Sequence, residues 1–396
     1  MKLLDGVTVL DLTQAYSGPF CTMHLADHGA KVIKLERPPH GDQTRGWGPF
    51  KNGASAYYAL INRNKLGMTL DLNKEKGKEV FLQLAAKADV VVENFRVGTM
   101  EKLGLGYDNL KKVNPRLIYA SISGFGLEGP LSGRPAYDIV AQGMSGIMSI
   151  TGFADKGPTK VGPSLGDSYT GSYLTMGIAM ALFNRERSGQ GHRLDVAMLD
   201  TLFHNLENAV VTYTVEGVIP EQMGNTDPAI APFDTFEAKD GVFVMGVGTD
   251  KMWGEVCAAM GRPDLAEDPR YRTNADRCKN YLPDLRRTLL EWTNSKTVAQ
   301  MEEILVSAGI PFGPVLNVAQ TTEHPQIAAR NMIQEVDDPL LGKVRLCGIP
   351  IKARGVSDKI ERPAPRLGEH NEEVLRDLLG YDAAAVRALK EAGAVF

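Results

Sequence analysis

Apolar runs alternate with segments of helical periodicity along the first half of the chain. The runs at 89–95 (DVVVENF) and 117–123 are almost continuously apolar, a pattern typical of parallel strands that are covered on both faces of a sheet. Such strands are joined by crossover helices, so we predict an α/β fold. The predicted strands are 7–12, 31–35, 89–95, 117–123 and 193–197, and the predicted helices are 21–28, 76–88, 108–113 and 168–187.

The second half of the chain begins with a change of composition. Residues 216–232 (EGVIPEQMGNTDPAIAP) are rich in Pro, Gly and Asn and lack periodicity, which predicts a linker. A smaller α+β domain is expected beyond it, followed by a return to the first domain. The elements predicted there are a hairpin over 235–247, helices at 251–260, 282–293 and 298–307, a return segment at 309–317, a strand at 344–351 and helices at 371–380 and 384–392. The expected domains are a large domain at 1–215, a linker at 216–232, a small α+β domain at 233–310, and a return segment with the C-terminal part of the large domain at 311–396.

Charge and composition limit which classes of binding partner and which cellular location are expected for this protein. The 44 Lys and Arg residues are outnumbered by 48 Asp and Glu, and a net charge of −4 lacks the basic excess of a nucleic-acid binder. The longest uncharged run, 168–184, holds 17 residues, several of them polar, and is too short for a membrane span. Asp5 and Asp11 interrupt the apolar core that a secretory signal needs. We therefore expect a cytoplasmic protein with no nucleic-acid or membrane partner.

Cysteine and histidine spacing gives no support for a metal site. The four cysteines, Cys21, Cys257, Cys278 and Cys347, form no CxxC pair, and the seven histidines show no HxxxH or HExxH spacing. There is also no GxSxG elbow and no Walker loop. We predict no metal site, and neither serine-hydrolase nor P-loop chemistry.

A literal GxGxxG motif occupies residues 124–129, directly after a predicted strand. A dinucleotide fold needs a helix N-terminus next, to hold the pyrophosphate, but Pro130, Gly133 and Pro135 follow instead. The motif also follows a late strand rather than the first one. We therefore interpret it as a glycine-rich loop, and nicotinamide or flavin binding stays a remote alternative.

Asp167 stands directly before the predicted long helix. The simpler interpretation is a helix N-cap, since Asp accepts hydrogen bonds from free N–H groups and benefits from the helix dipole. A carboxylate in that position is expected to stay ionised. If it faces a pocket, it becomes a nucleophile toward an activated acyl group, and spacing alone leaves both interpretations open.

Basic residues of the first half lie in or near the loops after predicted strands. Open α/β sheets bind ligands at the carboxyl ends of their strands, so Arg37 and the segment 94–96 are candidate phosphate contacts. Most of these charges are expected to be solvated surface groups. The other basic residues that lie in or near these loops are Arg45, Arg63, Lys65 and Lys102.

Several ordered segments of residues 3–200 resemble the family III CoA-transferases, the group that contains formyl-CoA transferase, carnitine CoA-transferase and the α-methylacyl-CoA racemases. They include LDGVTVLDLTQAYSGPFCTMHLADHGAKVIKLERP, ADVVVENFRVGTMEKLGLGYDNL, GRPAYDIVAQGMSG and VGPSLGDSYTGSYLTMGIAMALFNRERSGQG, and the C-terminal RLGEHNEEVL is similar too. The resemblance implies a large Rossmann-like domain plus a smaller α+β domain, in a chain that interlocks with a second copy as a homodimer.

The same resemblance implies that Asp167 is a covalent nucleophile. It would move CoA from an acyl-CoA donor to a small carboxylic acid through an aspartyl anhydride and an aspartyl-CoA thioester, with CoA esters as substrates and no tightly bound cofactor. The positions that would line CoA by comparison with formyl-CoA transferase are Tyr16, Ser17, Arg37, Leu70, Asn94, Phe95, Lys102, Leu103 and Tyr137.

Departures from the family pattern bear on the substrate and on the rival activity. Tyr16 and Pro135 replace a glutamine and a lysine of the oxalate-using enzyme, so the acceptor acid stays open. Residues 224–236 also lack its run of consecutive glycines, so protection of the intermediates by a glycine loop of that kind does not carry over. A 2-methylacyl-CoA racemase is the alternative within the family. Tyr137 stands where the racemases have a histidine, and because tyrosine is a poor base at neutral pH, the transferase is favoured.

Overall fold

The computed structural model describes all residues, 1–396, and the chain divides into two compact units. The large unit comprises residues 1–147, 160–211 and 325–396, and the small unit comprises 148–159 and 212–324. The predicted linker at 216–232 contains the end of a short π-helix and otherwise no helix or strand.

A six-stranded parallel sheet forms the centre of the large unit. When the six strands of this sheet are counted from 1 to 6 in chain order, they lie side by side in the order 3-2-1-4-5-6. This is the doubly wound arrangement of dinucleotide-binding folds. The six strands are β1 (Thr8–Asp11), β2 (Lys31–Glu36), β5 (Leu66–Thr69), β6 (Val90–Glu93), β7 (Ile118–Ser123) and β8 (Arg193–Ala197), while β3 (Phe50–Lys51) and β4 (Ala54–Ser55) form a separate antiparallel pair. The order reverses between β1 and β6, where Leu10 is aligned with Val91.

Helices cover both faces of this sheet and bury its apolar strands. One core contains Val9, Val90 and Ile118 with Leu174 and Ile178 of the longest helix, and a second core lies on the opposite face. The helices of the large unit are α1 (Ser17–Asp27), α2 (Ala56–Asn62), α3 (Glu75–Ala85), α4 (Thr99–Lys102), α5 (Tyr107–Val113), α6 (Asp138–Ser145), α8 (Leu165–Ser188), α9 (Met198–His204) and α10 (Asn208–Val211), with a 3-10 turn at Gln43–Gly46. The short helix α7 (Ile147–Ile150), apart from its first residue, and a π-helix at Thr212–Glu216 belong to the small unit.

The small unit contains a three-stranded antiparallel sheet packed against helices. Its core includes Phe236, Phe243 and Trp253, which are 0–1% exposed. The predicted hairpin and the helix at 298–307 are both present. Its elements are β9 (Phe233–Ala238), β10 (Gly241–Gly246), α11 (Asp250–Ala259), α12 (Asp264–Glu267), α13 (Asn274–Asn280), a π-helix at Tyr281–Leu285, α14 (Arg286–Thr293), α15 (Val298–Ser307), β11 (Phe312–Pro314) and α16 (Val318–Thr322).

The C-terminal segment returns to the large unit. Val374 and Leu389 join its core, and the Asn371 side chain accepts a hydrogen bond from the backbone N–H of Thr69 in β5 (2.8 Å). This contact attaches the chain end to the edge strand of the sheet. The elements are α17 (Pro325–Ala329), the hairpin β12 (Ile333–Asp338) and β13 (Gly342–Cys347), α18 (Asn371–Leu379) and α19 (Ala383–Glu391).

No helix of the structure combines the length and the apolar character needed to cross a membrane.

Candidate active site

A cavity of about 420 Å³ opens beside the carboxyl ends of β1 and β6 in the large unit. This is the place where the strand order reverses, and in open α/β sheets ligands bind at that crevice. The segment that follows β1 supplies Tyr16 and Ser17, the end of β6 supplies Asn94 and Phe95, and α8 supplies Asp167.

Asp167 lies within the first turn of α8 and is half-buried beside Ser17. Burial and the nearby carboxylate of Asp138 raise its pKa from 3.8 to about 7, against a hydrogen bond from the Ser17 side chain that lowers it. The expectation that this carboxylate stays fully ionised is therefore wrong. At neutral pH the group is poised between its acid form and a nucleophilic carboxylate.

The carboxylate that caps α8 is Asp138, not Asp167. Its Oδ1 accepts hydrogen bonds from the backbone N–H groups of Gly166 (2.7 Å) and Asp167 (3.4 Å). The helix begins two residues before Asp167, and the Ser164 side chain at its N-cap accepts no capping bond. The predicted N-cap role of Asp167 is thus corrected, because a cap from 28 residues upstream leaves no local sequence signal.

Gln142 holds Asp138 and the loop before α8 together. Its Nε2 donates to the other carboxylate oxygen of Asp138 (2.7 Å), and its Oε1 accepts from the backbone N–H of Val161 (3.0 Å). Gln142 is fully buried and Asp138 is 7% exposed. One buried amide therefore fixes the orientation of the carboxylate that borders Asp167.

A buried ion pair stabilises the segment between β1 and α1. Lys34 of β2 donates to Asp42 Oδ2 (2.7 Å) and to the Thr13 carbonyl (2.6 Å), and both side chains are inaccessible to solvent. Asp42 Oδ1 also accepts from the backbone N–H of Ala15 (3.3 Å). Ala15 has a φ of +63°, an unusual conformation for a residue with a side chain. These contacts impose that conformation on the residue preceding Tyr16.

An amide pair ties the same segment to the end of β6. Asn94 accepts from the backbone N–H of Gln14 and donates to the Gln14 carbonyl, both at 2.8 Å. Glu93, the last residue of β6, accepts from the backbone N–H of Phe95 (2.9 Å), and burial raises its pKa to about 7. The two strand ends that border the cavity are thus fixed to each other.

Aromatic rings form one wall of the cavity. Tyr16 stacks on Phe20 at 5.2 Å between ring centroids and lies 5.9 Å from Tyr57, which lies 6.0 Å from Trp47. The Tyr16 hydroxyl accepts a hydrogen bond from Ser168 Oγ at 3.4 Å, and burial raises its pKa. These rings give one side of the space in front of Asp167 an apolar surface.

Helices α1 and α8 approach each other closely near the site. A Cβ added at Gly171 of α8 would lie 2.6 Å from the Ser17 carbonyl oxygen and 3.0 Å from the Phe20 ring. Both helices begin at the cavity, so the positive ends of two helix dipoles border it. Such an arrangement favours anionic groups of a ligand.

The predicted site residues fall into two groups in the structure. Six of them line the cavity: Tyr16, Ser17, Asn94, Phe95, Tyr137 and Asp167. The other four do not: Arg37 and Lys102 are exposed, Leu103 is half-buried, and Leu70 is 3% exposed within the core. Arg37 and Leu70 directly follow β2 and β5, so they occupy the same edge of the sheet as the cavity.

Sequence reasoning missed other lining residues, namely Asp138, Trp47, Tyr57 and Lys160. The carboxyl-end rule for parallel strands does not reach them, because they lie on helices and loops that tertiary packing brings to the cavity. The glycine-rich motif at 124–129 contains neither helix nor strand, and the next helix begins only at Asp138, as expected for a loop. No group of three or more His, Cys, Asp or Glu side chains is arranged to hold a metal ion.

Comparison with known proteins gives a consistent result along almost the whole chain. A family model described as CoA-transferase family III matches residues 4–371. The chain is 44% identical to acetyl-CoA:oxalate CoA-transferase of Acetobacter aceti over 382 residues, which cover 96% of each chain. It is 41% identical to succinyl-CoA:mesaconate CoA-transferase of Haloarcula hispanica over 388 residues, covering 95% of this chain and 96% of that relative.

A solved structure agrees with the fold. The crystal structure of a CAIB/BAIF family protein from Brucella suis superposes with a TM-score of 0.83 at 38% identity, covering 95% of this chain and 99% of that one. The mixed α/β architecture with its parallel central sheet is therefore shared with solved relatives.

Proposed function

Because this chain belongs to CoA-transferase family III and is a CoA-transferase, we propose that Asp167 is the nucleophile through which it moves CoA from an acyl-CoA donor to a free carboxylic acid. The observation that carries the proposal is the placement of Asp167, a carboxylate with a pKa of about 7 that lines the cavity at the crevice of the sheet. A nucleophile of this kind converts one activated acyl group into another without an external energy source.

The proposed reaction has four displacements at acyl carbons. The Asp167 carboxylate attacks the donor thioester, forming a C–O bond as the C–S bond breaks and CoA thiolate leaves. The thiolate then attacks the Asp167 acyl carbon and expels the donor acid, leaving an aspartyl-CoA thioester. The acceptor carboxylate expels the thiolate from this thioester as a second mixed anhydride, and the thiolate attacks the acceptor acyl carbon. The new acyl-CoA departs and the carboxylate is regenerated, so no tightly bound cofactor is needed.

The surroundings of Asp167 suit these steps. Ser17 hydrogen-bonds the carboxylate and helps to orient it, and two helix N-termini favour the carboxylates and thiolate that form in turn. The aromatic wall of Tyr16, Tyr57 and Trp47 limits access of water, which would hydrolyse both the anhydride and the thioester.

For the CoA moiety, we propose an extended site along the carboxyl edge of the sheet. Tyr16, Ser17, Asn94, Phe95 and Tyr137 lie at the cavity and suit the thiol end. The predicted contacts outside the cavity, Arg37, Leu70, Lys102 and Leu103, suit the remainder of a long cofactor, whose phosphates need cations. The acceptor is a small carboxylic acid, and the acids named for the two relatives, oxalate and mesaconate, are the first to test.

The proposal is tested by replacing Asp167 with Asn. The variant keeps the shape of the side chain but is a far weaker nucleophile, so we expect it to fold and to lose at least ~10³-fold in transfer rate. Wild-type protein incubated with acetyl-CoA and no acceptor is expected to carry an adduct on the peptide containing Asp167, detected by mass after trapping with hydroxylamine. Retained activity in the variant, or an adduct on another residue, rejects Asp167 as the nucleophile.

The racemase alternative is not favoured, since the two relatives named above are CoA-transferases. Tyr137, at the position of the racemase histidine, is 68% exposed. We expect transfer in deuterated water to proceed without deuterium uptake at the α-carbon of a 2-methylacyl-CoA. Rapid deuterium uptake without any transfer of CoA to acids would favour the racemase activity over the transferase activity.

We also propose that the chain acts as an interlocked homodimer. Support comes from α8, where Met176, Met180 and Phe183 are 46–61% exposed at helical spacing, an apolar stripe that suits burial in an interface. Light scattering on the purified protein is expected to give twice the chain mass, and the Met180→Glu variant is expected to weaken the association. A monomer mass at micromolar concentration rejects the dimer.

A further inference from the structure

Lys160 is the only cationic side chain that lines the cavity in front of Asp167. It lies in the loop that leads into α8, five residues before that helix begins. The other ionisable side chains that line the cavity are the carboxylates Asp138 and Asp167 and the tyrosines Tyr16, Tyr57 and Tyr137. A single positive charge among carboxylates and tyrosines is a specific feature of this cavity, and it would be stabilised by an anionic partner.

The chain itself provides no such partner. The Lys160 Nζ donates to the carbonyl oxygens of Val161 (2.6 Å) and Gly162 (2.8 Å), and more weakly to that of Pro163 (3.5 Å). These carbonyl dipoles fix the position of the ammonium, but they carry no net charge. No carboxylate of the chain forms an ion pair with Lys160.

Asp167 is not the counter-ion of Lys160 either. The groups that act on the pKa of Asp167 are its own burial, the carboxylate of Asp138 and the hydroxyl of Ser17, and Lys160 is not among them. Asp138 is engaged by the N-terminus of α8 and by Gln142. Lys160 and Asp167 therefore line the same cavity without forming an ion pair with each other.

We propose that Lys160 binds the second carboxylate of a dicarboxylic acid whose first carboxylate reacts at Asp167. The inference rests on the proposed function and adds the substrate class that the site selects. A dicarboxylic acceptor satisfies both groups, because one carboxylate exchanges with CoA at Asp167 while the other pairs with the ammonium of Lys160. A monocarboxylic acid of the same length leaves the ammonium without an anion, so its binding is weaker.

Hydrogen bonds connect the loop that carries Lys160 to the first turn of α8, where Asp167 lies. Gln142 accepts from the backbone N–H of Val161 and donates to Asp138, which caps α8 beside Asp167. The loop that carries Lys160 and the first turn of α8 are thus linked through two buried side chains, Gln142 and Asp138. A fixed spacing of this kind selects acids by chain length as well as by charge.

The test compares acids that differ only in the second carboxylate. Acetyl-CoA is the donor, because it carries no distal carboxylate, and succinate is compared with butyrate as acceptor. The quantity measured is the ratio of kcat/KM for the dicarboxylate to that for the monocarboxylate. Lys160→Met is expected to lower this ratio by about 10-fold or more, the scale of one charge-assisted hydrogen bond, mainly through the KM of succinate. Lys160→Arg is expected to retain most of it.

Controls separate a binding role from the support that Lys160 gives its loop. Lys156→Met removes an exposed lysine that does not line the cavity and is expected to leave the ratio unchanged. Formation of the Asp167 adduct from acetyl-CoA is expected to persist in Lys160→Met, which shows that the nucleophile remains in place.

Three outcomes overturn the inference, and they are distinct from one another. A Lys160→Met variant that loses activity equally toward both acids shows a purely structural role. A wild-type enzyme that transfers CoA without preferring succinate shows that the cavity does not select dicarboxylates. A wild-type enzyme that forms neither adduct nor new CoA ester with any acid refutes the proposed function itself.

Discussion

Replacement of Asp138 by Asn is predicted to shift the pH dependence of the enzyme to lower pH. Asp138 places a second carboxylate beside Asp167 and, after burial, is the main cause of the raised pKa of Asp167. Asn keeps an oxygen that accepts from the backbone N–H of Gly166, so the helix cap is retained while the charge is removed. Ionisation of Asp167 then becomes easier, because the like charge that opposed it is gone.

The size of the effect follows from the pKa of about 7. At pH 6 about one tenth of the wild-type Asp167 is ionised. Removing one nearby carboxylate lowers a neighbouring pKa by about one unit, since burial remains the larger cause, and about half of Asp167 is then ionised at pH 6. We therefore expect transfer at pH 6 to be about fivefold faster in the variant and nearly unchanged at pH 8.

The assay is kcat/KM for acyl-CoA between pH 5 and 9 with a fixed acceptor. The acidic limb of the profile is expected near pH 7 in the wild type and about one unit lower in Asp138→Asn. The variant also disturbs Gln142, whose amide donates to Asp138, at a cost of about 1 kcal/mol in stability, so unfolding is measured alongside. Asp138→Ala is the comparison, because it removes both charge and cap. If the limb of Asp138→Asn stays at the wild-type pH in a folded protein, Asp138 does not tune the nucleophile.

Three further predictions test the surroundings of the site. Asp167→Asn is expected to be more stable than the wild type by up to about 4 kcal/mol near pH 8 and equally stable near pH 4. The reason is that folding raises the pKa of the Asp167 carboxyl from 3.8 to about 7, so ionisation of this group destabilises the folded state as pH rises through that range. Denaturant titrations of both proteins at pH 4 and pH 8 check this. Gly171→Ala is expected to lower activity and stability by forcing the α1–α8 contact apart, whereas Gly177→Ala, whose added Cβ meets only Leu194 at 3.6 Å, is expected to be tolerated. Arg37→Ala and Lys102→Ala are each expected to raise the KM for acyl-CoA about 10-fold with little change in kcat, and unchanged KM values in both would move the CoA site elsewhere.

Much of the fold was predictable because the apolar runs are long and continuous. β8 and α15 have the predicted limits of 193–197 and 298–307. β5 (LGMT) was missed, since four residues that include a glycine give no clear strand signal. Its burial comes from β2 beside it and from the C-terminal segment 302 residues away in the chain. Information of that range is absent from any local window.

The same limit applies to the site. The resemblance to family III singled out Asp167, and the carboxyl-end rule pointed to Arg37 and the segment that begins at Asn94. The cap of α8 by Asp138 and the cation of Lys160 have no local signature, because their roles arise only when the loop before α8 folds beside α6. The raised pKa of Asp167 was unpredictable for a related reason, since both of its causes, burial and a second carboxylate, are tertiary.

The site contains two features that cost free energy in the folded state, and a buried ion pair stabilises the segment that carries one of them. A half-buried carboxylate beside another carboxylate costs free energy in the folded state, and a residue with positive φ sits next to Tyr16. Both persist only if the surrounding segments have no alternative position. The Lys34–Asp42 pair is inaccessible to solvent and holds the segment after β1, and removing one partner of such a pair costs about 3–5 kcal/mol. The pair therefore holds the segment after β1 in place and supports Ala15 in its positive-φ conformation.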